Sequence, residues 1–142
     1  MIGITYFRLH TENNGNIDME YLAHTLDLSH KLWQAALEVE HPRRSLLGVS
    51  VFLWMSAKHM EGEKVSMKTL SAQMGGPISV LRRLVRELEA EGWVNSYADE
   101  DDNRVRIVKP TLKFESIAEK LARECHARIS EHPVLNQLKM RI

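Results

Sequence analysis

The fold of this chain is decided by residues 66 to 94, which read SMKTLSAQMGGPISVLRRLVRELEAEGWV. Ser66 is a suitable N-cap for a helix over residues 67 to 74, because its side-chain oxygen can accept a hydrogen bond from a backbone N–H of the first turn. Gly75 and Gly76 follow and can supply a turn with positive φ, which other residues adopt only at a cost. The first half of the stretch therefore predicts a short helix that ends in a tight turn.

The second half of the stretch predicts a longer helix from Pro77 to Glu91. A proline at the first helical position sacrifices no hydrogen bond, and Gly92 is a typical C-terminal stop. The apolar residues that recur at helical spacing form an inward face, namely Leu81, Leu84, Val85 and Leu88. The outward residues near the start of the helix are Ile78, Ser79, Arg82, Arg83 and Arg86. A basic face therefore leads the helix, whereas its glutamates lie towards the far end.

A β-hairpin is predicted directly after this helix. Residues 93 to 97 favour a strand, Asp99 to Asn103 form an acidic turn, and Arg104 to Val108 alternate charged and apolar side chains. Two helices joined by a tight turn and followed by a hairpin are typical of a winged helix-turn-helix. We therefore predict a mainly α fold with a small β-hairpin wing, centred on Tyr97 to Lys109.

The N-terminal part of the chain predicts an extended arm and two helices. Residues 1 to 9 are rich in β-branched and aromatic types, which favour extended structure. Asp18 is a suitable N-cap for a long helix that Pro42 ends, and Ser45 can cap the next helix, from Leu46 to Met60. The side chains expected on the inward face of this second helix are Leu47, Val51, Trp54 and Ala57.

The C-terminal part predicts an amphipathic helix that begins after Thr111 and is broken by Pro133, with a short helix in the tail beyond. Its apolar face consists of Phe114, Ile117, Leu121 and Ile129. The first long helix carries two apolar stripes, one of Leu22, Leu26, Trp33 and Leu37, the other of Leu28, Leu32 and Ala35. Because more than one face of these helices needs cover, they indicate a subunit partner.

The basic start of the second helix suits the major groove of duplex DNA. Arginines at that end can reach guanine or phosphate while short side chains meet base edges, and the helix dipole also favours phosphate there. In the alternative interpretation, the arginines form a solvated face with i,i+4 ion pairs such as Arg83 with Glu87. The turn before the helix and the hairpin after it favour DNA binding.

These residues resemble the MarR-type winged-helix regulators. The resemblance is carried by Leu70 to Gly75, by Leu81 to Val94, by Asp102 and Arg104 in the wing, and by Thr111. It implies that Arg104 reaches into the minor groove while Asp102 helps to hold the arginines. It also implies a homodimer in which the first and last helices pack across a two-fold axis, a pseudo-palindromic DNA site, and a small-molecule effector.

We therefore expect a cytoplasmic, dimeric, sequence-specific transcription regulator, acting as a repressor of its operator. The residues expected to contact DNA are Ser66, Lys68, Pro77, Ile78, Ser79, Arg82, Arg83, Arg86, Arg104 and Arg106, with Asp102 in support. Residues 1–142 would form one domain, with dimerisation helices at 18–40 and 112–142 and a DNA-binding lobe at 45–111, which holds the helix-turn-helix at 66–91 and the wing at 93–109.

The charge balance leaves a second interpretation open. Lys plus Arg and Asp plus Glu number 19 each, so the formal net charge is zero. The run Asp99 to Asp102 also places four carboxylates beside Arg104, where they would oppose phosphate. A winged-helix protein-interaction or replication accessory module that does not read DNA sequence is therefore the alternative.

The remaining sequence features narrow the function further. Cys125 is the only cysteine, so an intramolecular disulfide is excluded, and we expect an interface thiol rather than an oxidation sensor. The seven histidines do not have zinc-site spacing, and no motif of a catalytic site is present. The longest apolar stretch, residues 46 to 57, is too short to span a bilayer, and no secretory signal begins the chain. We predict no enzyme activity, no cofactor and no metal.

Overall fold

The computed structural model describes residues 19 to 39 and 45 to 136. In chain order, the helices and strands are α1 (Met19–Glu38), α2 (Leu46–Met60), β1 (Val65–Ser66), α3 (Met67–Met74), α4 (Ile78–Ala90), β2 (Val94–Ala98), β3 (Arg106–Pro110) and α5 (Leu112–Glu131). The predictions for the N-terminal arm, the cap at Asp18, the stop at Pro42 and the tail beyond residue 136 lie outside the described residues. The chain divides into two compact units, one with residues 19 to 35 and 123 to 136, the other with residues 36 to 122.

The helix-turn-helix has the predicted order, with one difference at Pro77. Ser66 caps α3 in a capping box, because its Oγ accepts the N–H of Thr69 at 3.1 Å and its own N–H donates to Thr69 Oγ1 at 3.1 Å. Gly75 makes the turn with φ 62°. Pro77 has an extended ψ of 127° and its carbonyl accepts the N–H of Val80, so it caps α4 rather than being its first helical residue. The prediction that the helix begins at Pro77 was therefore wrong by one position.

The far end of α4 leads into the wing. Glu91 is the C-cap, so α4 stops at Ala90, and Gly92 reverses the chain with φ 80°. Two antiparallel strands follow, and β3 is the central strand of a three-stranded sheet in the order β1-β3-β2. The hairpin was predicted, but its return strand begins at Arg106, not at Arg104. The N–H of Val105 donates to the carbonyl of Asp102 at 2.9 Å, which keeps this segment in the turn.

The core of the larger unit lies between α2, α4, the sheet and the first part of α5. The predicted inward residues of α4 are buried: Leu81, Leu84, Val85 and Leu88. In α2 the predicted face is wrong in part, because Ala57 is exposed while the buried residues are Gly48, Val49, Val51, Phe52, Met55 and Ser56. The rings of Phe52 and Phe114 meet at 4.7 Å between centroids. Since α2 is apolar on almost every side, periodicity alone does not select its buried face.

The smaller unit pairs the first part of α1 with the last part of α5. Arg128 Nη1 donates to the carbonyl of Lys31 at 2.7 Å, and the buried His132 contacts Asp27 Oδ2 through Nε2 at 2.7 Å. α5 ends at Glu131, two residues before Pro133, as predicted. Within the predicted apolar stripe of α1, Leu26 is 72% exposed, whereas Leu22, Trp33 and Leu37 are half-buried. Among residues 19 to 39 and 45 to 136, no helix is both long and apolar enough to cross a membrane.

Candidate nucleic-acid interface

A groove with a volume of about 780 Å³ lies between α3, α4 and the wing. The predicted DNA-contacting residues that line it are Ser66, Lys68, Ile78, Arg82, Arg86, Arg104 and Arg106. Those that do not line it are Pro77, Ser79 and Arg83, together with the supporting Asp102. Of the described residues that form its walls, five are basic and one, Glu89, is acidic. Three elements thus bring most of the predicted residues to one cationic surface.

The arginines of α4 differ in their surroundings. Arg82 and Arg86 line the groove, and the Nε of Arg86 donates to the carbonyl of Arg82 at 3.4 Å. Neither has a carboxylate partner among the described residues. Arg83 lies off the groove, is 80% exposed and contacts Glu87 Oε1 through Nε at 3.3 Å. The solvated ion-pair interpretation therefore applies to Arg83, and no such ion pair is described for Arg82 or Arg86 in residues 19 to 39 and 45 to 136.

Arg104 at the tip of the wing is held by Asp102. The Asp102 Oδ1 atom accepts the backbone N–H of Arg104 at 3.0 Å and its Nε–H at 3.1 Å, while Oδ2 accepts from Nη2 at 3.4 Å. These hydrogen bonds lower the pKa of Asp102 below its ordinary value. The side chain of Arg104 is 91% exposed, so the contact orients the guanidinium without removing it from solvent. The resemblance implied this contact.

Arg106 is held differently, through Ser96 and Glu89. The Nη2 of Arg106 donates to the carbonyl of Ser96 at 3.0 Å and to its Oγ at 3.2 Å. The same serine donates its N–H to Glu89 Oε1 at 2.9 Å and its Oγ–H to Oε2 at 3.0 Å. These bonds to Ser96, followed by the charge of Arg106, lower the pKa of Glu89 below its ordinary value.

This role of Glu89 was not predicted from the sequence, in which the residue lies at an acidic end of the helix that is unsuited to DNA. The spacing of residues along α4 does indicate that Glu89 lies near the wing. Glu89 follows Arg82 and Val85 at helical spacing, so it shares their face of α4 and lies beside the wing.

Solved structures share this arrangement of helices and wing. S. aureus MepR bound to ethidium bromide has a TM-score of 0.58 at 14% identity, over 88% of this chain and 90% of that chain. The MepR–DNA complex has a TM-score of 0.53 at 14% identity, over 84% and 88%. NadR in complex with 4-hydroxyphenylacetate has a TM-score of 0.56 at 19% identity, over 83% and 77%. The chain has a MarR-type winged-helix fold.

Other comparisons add little to this likeness of fold. The transcriptional regulator Tm0710 from Thermotoga maritima matches at 25% identity with a TM-score of 0.49, and the match spans only 57% of this chain and 57% of that chain. No protein-family model matches the chain, and no curated protein matches it either.

The acidic run of this winged helix lies outside the cationic groove. None of Asp99, Glu100, Asp101 and Asp102 lines it. The Oδ1 atom of Asp99 is 3.6 Å from Lys64 Nζ, and Asp102 pairs with Arg104. Two of the four carboxylates therefore have a basic partner, while Glu100 and Asp101 face solvent. The predicted conflict between this run and phosphate stays a prediction, and it concerns Glu100 and Asp101 first.

Neither Cys125 nor any of the described histidines is among the residues that line the groove. Burial raises the pKa of the half-buried Cys125 thiol, Arg128 opposes that shift, and Glu124 adds to it. A raised pKa disfavours the reactive thiolate, and the assignment of Cys125 as an interface thiol stays a prediction. Among the residues that the structure describes, no group of three His, Cys, Asp or Glu side chains is arranged to hold a metal ion.

Proposed function

We propose that this chain is a sequence-specific DNA-binding transcription regulator. The observation that carries the proposal is the groove between α3, α4 and the wing, where five basic side chains face one carboxylate. That carboxylate, Glu89, is already bonded to Ser96. A concave surface with this excess of positive charge suits the phosphate backbone. The likeness of fold to MepR, which has been solved bound to DNA, supports the proposal.

The mode of binding follows from the positions of the side chains. The start of α4 enters the major groove, where Ile78 and Ser79 are exposed and can meet base edges or a thymine methyl. Arg82 and Arg86 reach guanine or phosphate from the same helix. Arg104 extends from the wing tip towards the minor groove, whose narrow form concentrates negative potential. Direct contacts from α4 would provide specificity, and contacts from the wing would fix register.

A homodimer that binds a pseudo-palindromic operator belongs to the same proposal. Large apolar side chains are exposed on both terminal helices and at the start of α2: Leu26, Leu46 and Leu112, at 72%, 73% and 82%. A second copy would cover such surface. A two-fold dimer presents two recognition helices, so its site must contain two related half-sites. Such a dimer would act as a repressor by occupying DNA that the polymerase needs.

A small-molecule effector is the remaining part of the proposal. Its support is that MepR and NadR, which share the fold, were solved with ethidium bromide and with 4-hydroxyphenylacetate. Release of a bound duplex by a small organic ligand, at constant ionic strength, would test it. We expect release to saturate with ligand concentration, as for one defined site.

Selection of bound duplexes from a random pool at controlled salt tests the function directly. We expect an enriched pseudo-palindrome whose affinity falls steeply with ionic strength, because bound basic side chains displace counterions from phosphate. A chain that retains no duplex at low salt would reject DNA binding. That result would favour the protein-interaction module, for which exposed Glu100 and Asp101 would be the first contacts to test.

A further inference from the structure

We propose that Glu89 is a positioning residue that fixes the wing against the recognition helix, so that Arg106 and the arginines of α4 meet DNA as one surface. The inference rests on the proposed function. It gives a carboxylate inside a DNA-binding groove a role that charge alone would not predict.

The geometry of Glu89 is that of a clamp on one residue of the wing. Both carboxylate oxygens are used: Oε1 accepts the N–H of Ser96 at 2.9 Å and Oε2 accepts its Oγ–H at 3.0 Å. Hydrogen bonds to an ionised acceptor are roughly twice as strong as neutral ones. Because one bond comes from the backbone N–H of Ser96 and the other from its hydroxyl, they restrict both the position of β2 and the rotation of the serine side chain.

Ser96 passes this restraint on to Arg106. Its carbonyl and its Oγ both accept from Nη2 of Arg106, at 3.0 and 3.2 Å. The chain of contacts thus runs from α4 through β2 to β3, and it ends on a guanidinium that lines the groove. The atoms that accept hydrogen bonds from Arg106 are thus neutral oxygens of Ser96 rather than a carboxylate. The turn at Gly92 also connects α4 to β2 through the backbone.

Simple electrostatics makes the opposite prediction for Glu89. A carboxylate beside Arg82 and Arg86 reduces the positive potential of the groove, so its removal should strengthen binding to any duplex. Positioning predicts that removing the clamp weakens binding to the operator, because the wing then has to be ordered when DNA binds. The two effects can be separated by variants of equal charge.

Glu89→Ala and Glu89→Gln provide this charge-matched pair. Both remove the negative charge, but only the glutamine can still accept the N–H of Ser96. We expect Glu89→Ala to bind the selected operator roughly tenfold more weakly than Glu89→Gln, with equal affinities for a non-specific duplex. Equal operator affinities for the two variants would overturn the proposal, as would tighter operator binding by both than by the wild type.

A measurement without DNA and a third variant complete the test. In the wild type and in Glu89→Gln, the amide of Ser96 should be protected from hydrogen exchange, and in Glu89→Ala it should lose that protection while the amides of α4 keep theirs. Ser96→Ala retains the charge of Glu89 but removes the Oγ that bonds to both Glu89 and Arg106 and leaves only the backbone contacts, so it should also weaken operator binding. Unchanged Ser96 protection in Glu89→Ala would overturn the clamp, whereas a wild-type chain that binds no duplex would reject the proposed function.

Discussion

At the scale of single residues, Arg82 and Arg83 are neighbours with different roles. Arg82 lines the groove, whereas Arg83 points away from it and pairs with Glu87. We expect Arg82→Ala to weaken operator binding by about 1–3 kcal/mol, because a direct contact to guanine or phosphate is lost. Arg83→Ala is the matched control, and its exposed ion pair contributes about 0.2–1 kcal/mol at most to stability. Titration of both variants with labelled operator at one salt concentration measures the difference; wild-type affinity in Arg82→Ala would remove Arg82 from the reading surface.

Glu89 also predicts a pH dependence that can be observed at one amide. Hydrogen bonds from Ser96 lower the pKa of Glu89. At any pH above the ordinary carboxyl pKa, the carboxylate is therefore ionised and bonded to the wing. The hold is lost only as the pH falls through the lowered value in the folded protein. We expect the Ser96 amide resonance to be constant at neutral pH and to titrate with a midpoint below 4.5, the ordinary value. Glu89→Gln should abolish this titration; a midpoint at or above the ordinary value would contradict the assignment.

The sequence predicted the faces of α4 correctly, residue by residue, yet missed the partner of Glu89. The inward face depends only on the spacing of leucine and valine along one helix, which the sequence contains in full. The contact between Glu89 and Ser96 depends on how far Gly92, with φ 80°, turns the hairpin back against α4. The two partners are seven positions apart in the sequence, and no local pattern specifies that return path. The same reason explains why Arg106 was predicted as a DNA contact but not as a residue held by Ser96.

At the scale of elements, the turn between α3 and α4 depends on only one of its two glycines. Gly75 has φ 62°, whereas Gly76 has an ordinary φ, and a Cβ added at either would meet nothing within 4 Å. We expect Gly75→Ala to cost about 1–2 kcal/mol of folding free energy, because an L-residue is strained there. Gly76→Ala should leave stability unchanged or raise it by up to about 1 kcal/mol, through the lower entropy of the unfolded chain.

Urea denaturation of the two glycine variants beside the wild type would measure this difference. Since neither substitution causes a clash, the comparison isolates backbone strain from packing. Equal losses in both variants would show that space, rather than φ, limits the turn.

The ends of a helix could be predicted where a polar residue caps them. The buried face could not be predicted where a helix is apolar on all sides. Ser45 and Ser66 cap α2 and α3, and both helices have the predicted bounds. Pro77 was placed one position too far into its helix, because a proline suits the cap and the first turn equally well. In α2, Phe52 and Met55 are buried and Ala57 is exposed, although all three are apolar. What packs against each residue makes the difference. Tertiary contacts, rather than local sequence, therefore decide that face.

At the scale of the whole molecule, the formal net charge is zero, but the charged residues are distributed unevenly over the surface. The groove has five basic side chains and one carboxylate, and the acidic residues of the wing tip lie outside its walls. Because salt screens charges beyond about 10 Å at 0.1 M, DNA near the groove responds to that local surface and not to the total. The bulk composition therefore gave no signal of a cationic interface, whereas the order of residues along α4 did.

The geometry of the proposed dimer would fix the spacing between the two half-sites of the operator. Two recognition helices related by a two-fold axis face the same side of DNA when their half-sites are about 10–10.5 base pairs apart, centre to centre. Inserting five base pairs between the half-sites rotates one of them by about half a turn, so only one recognition helix can dock. We expect operator affinity to fall roughly tenfold or more, whereas five base pairs added outside the half-sites should have no effect. Sedimentation of the free protein at micromolar concentration provides the independent check; a monomer there, or equal affinity for both lengthened duplexes, would contradict the two-fold arrangement.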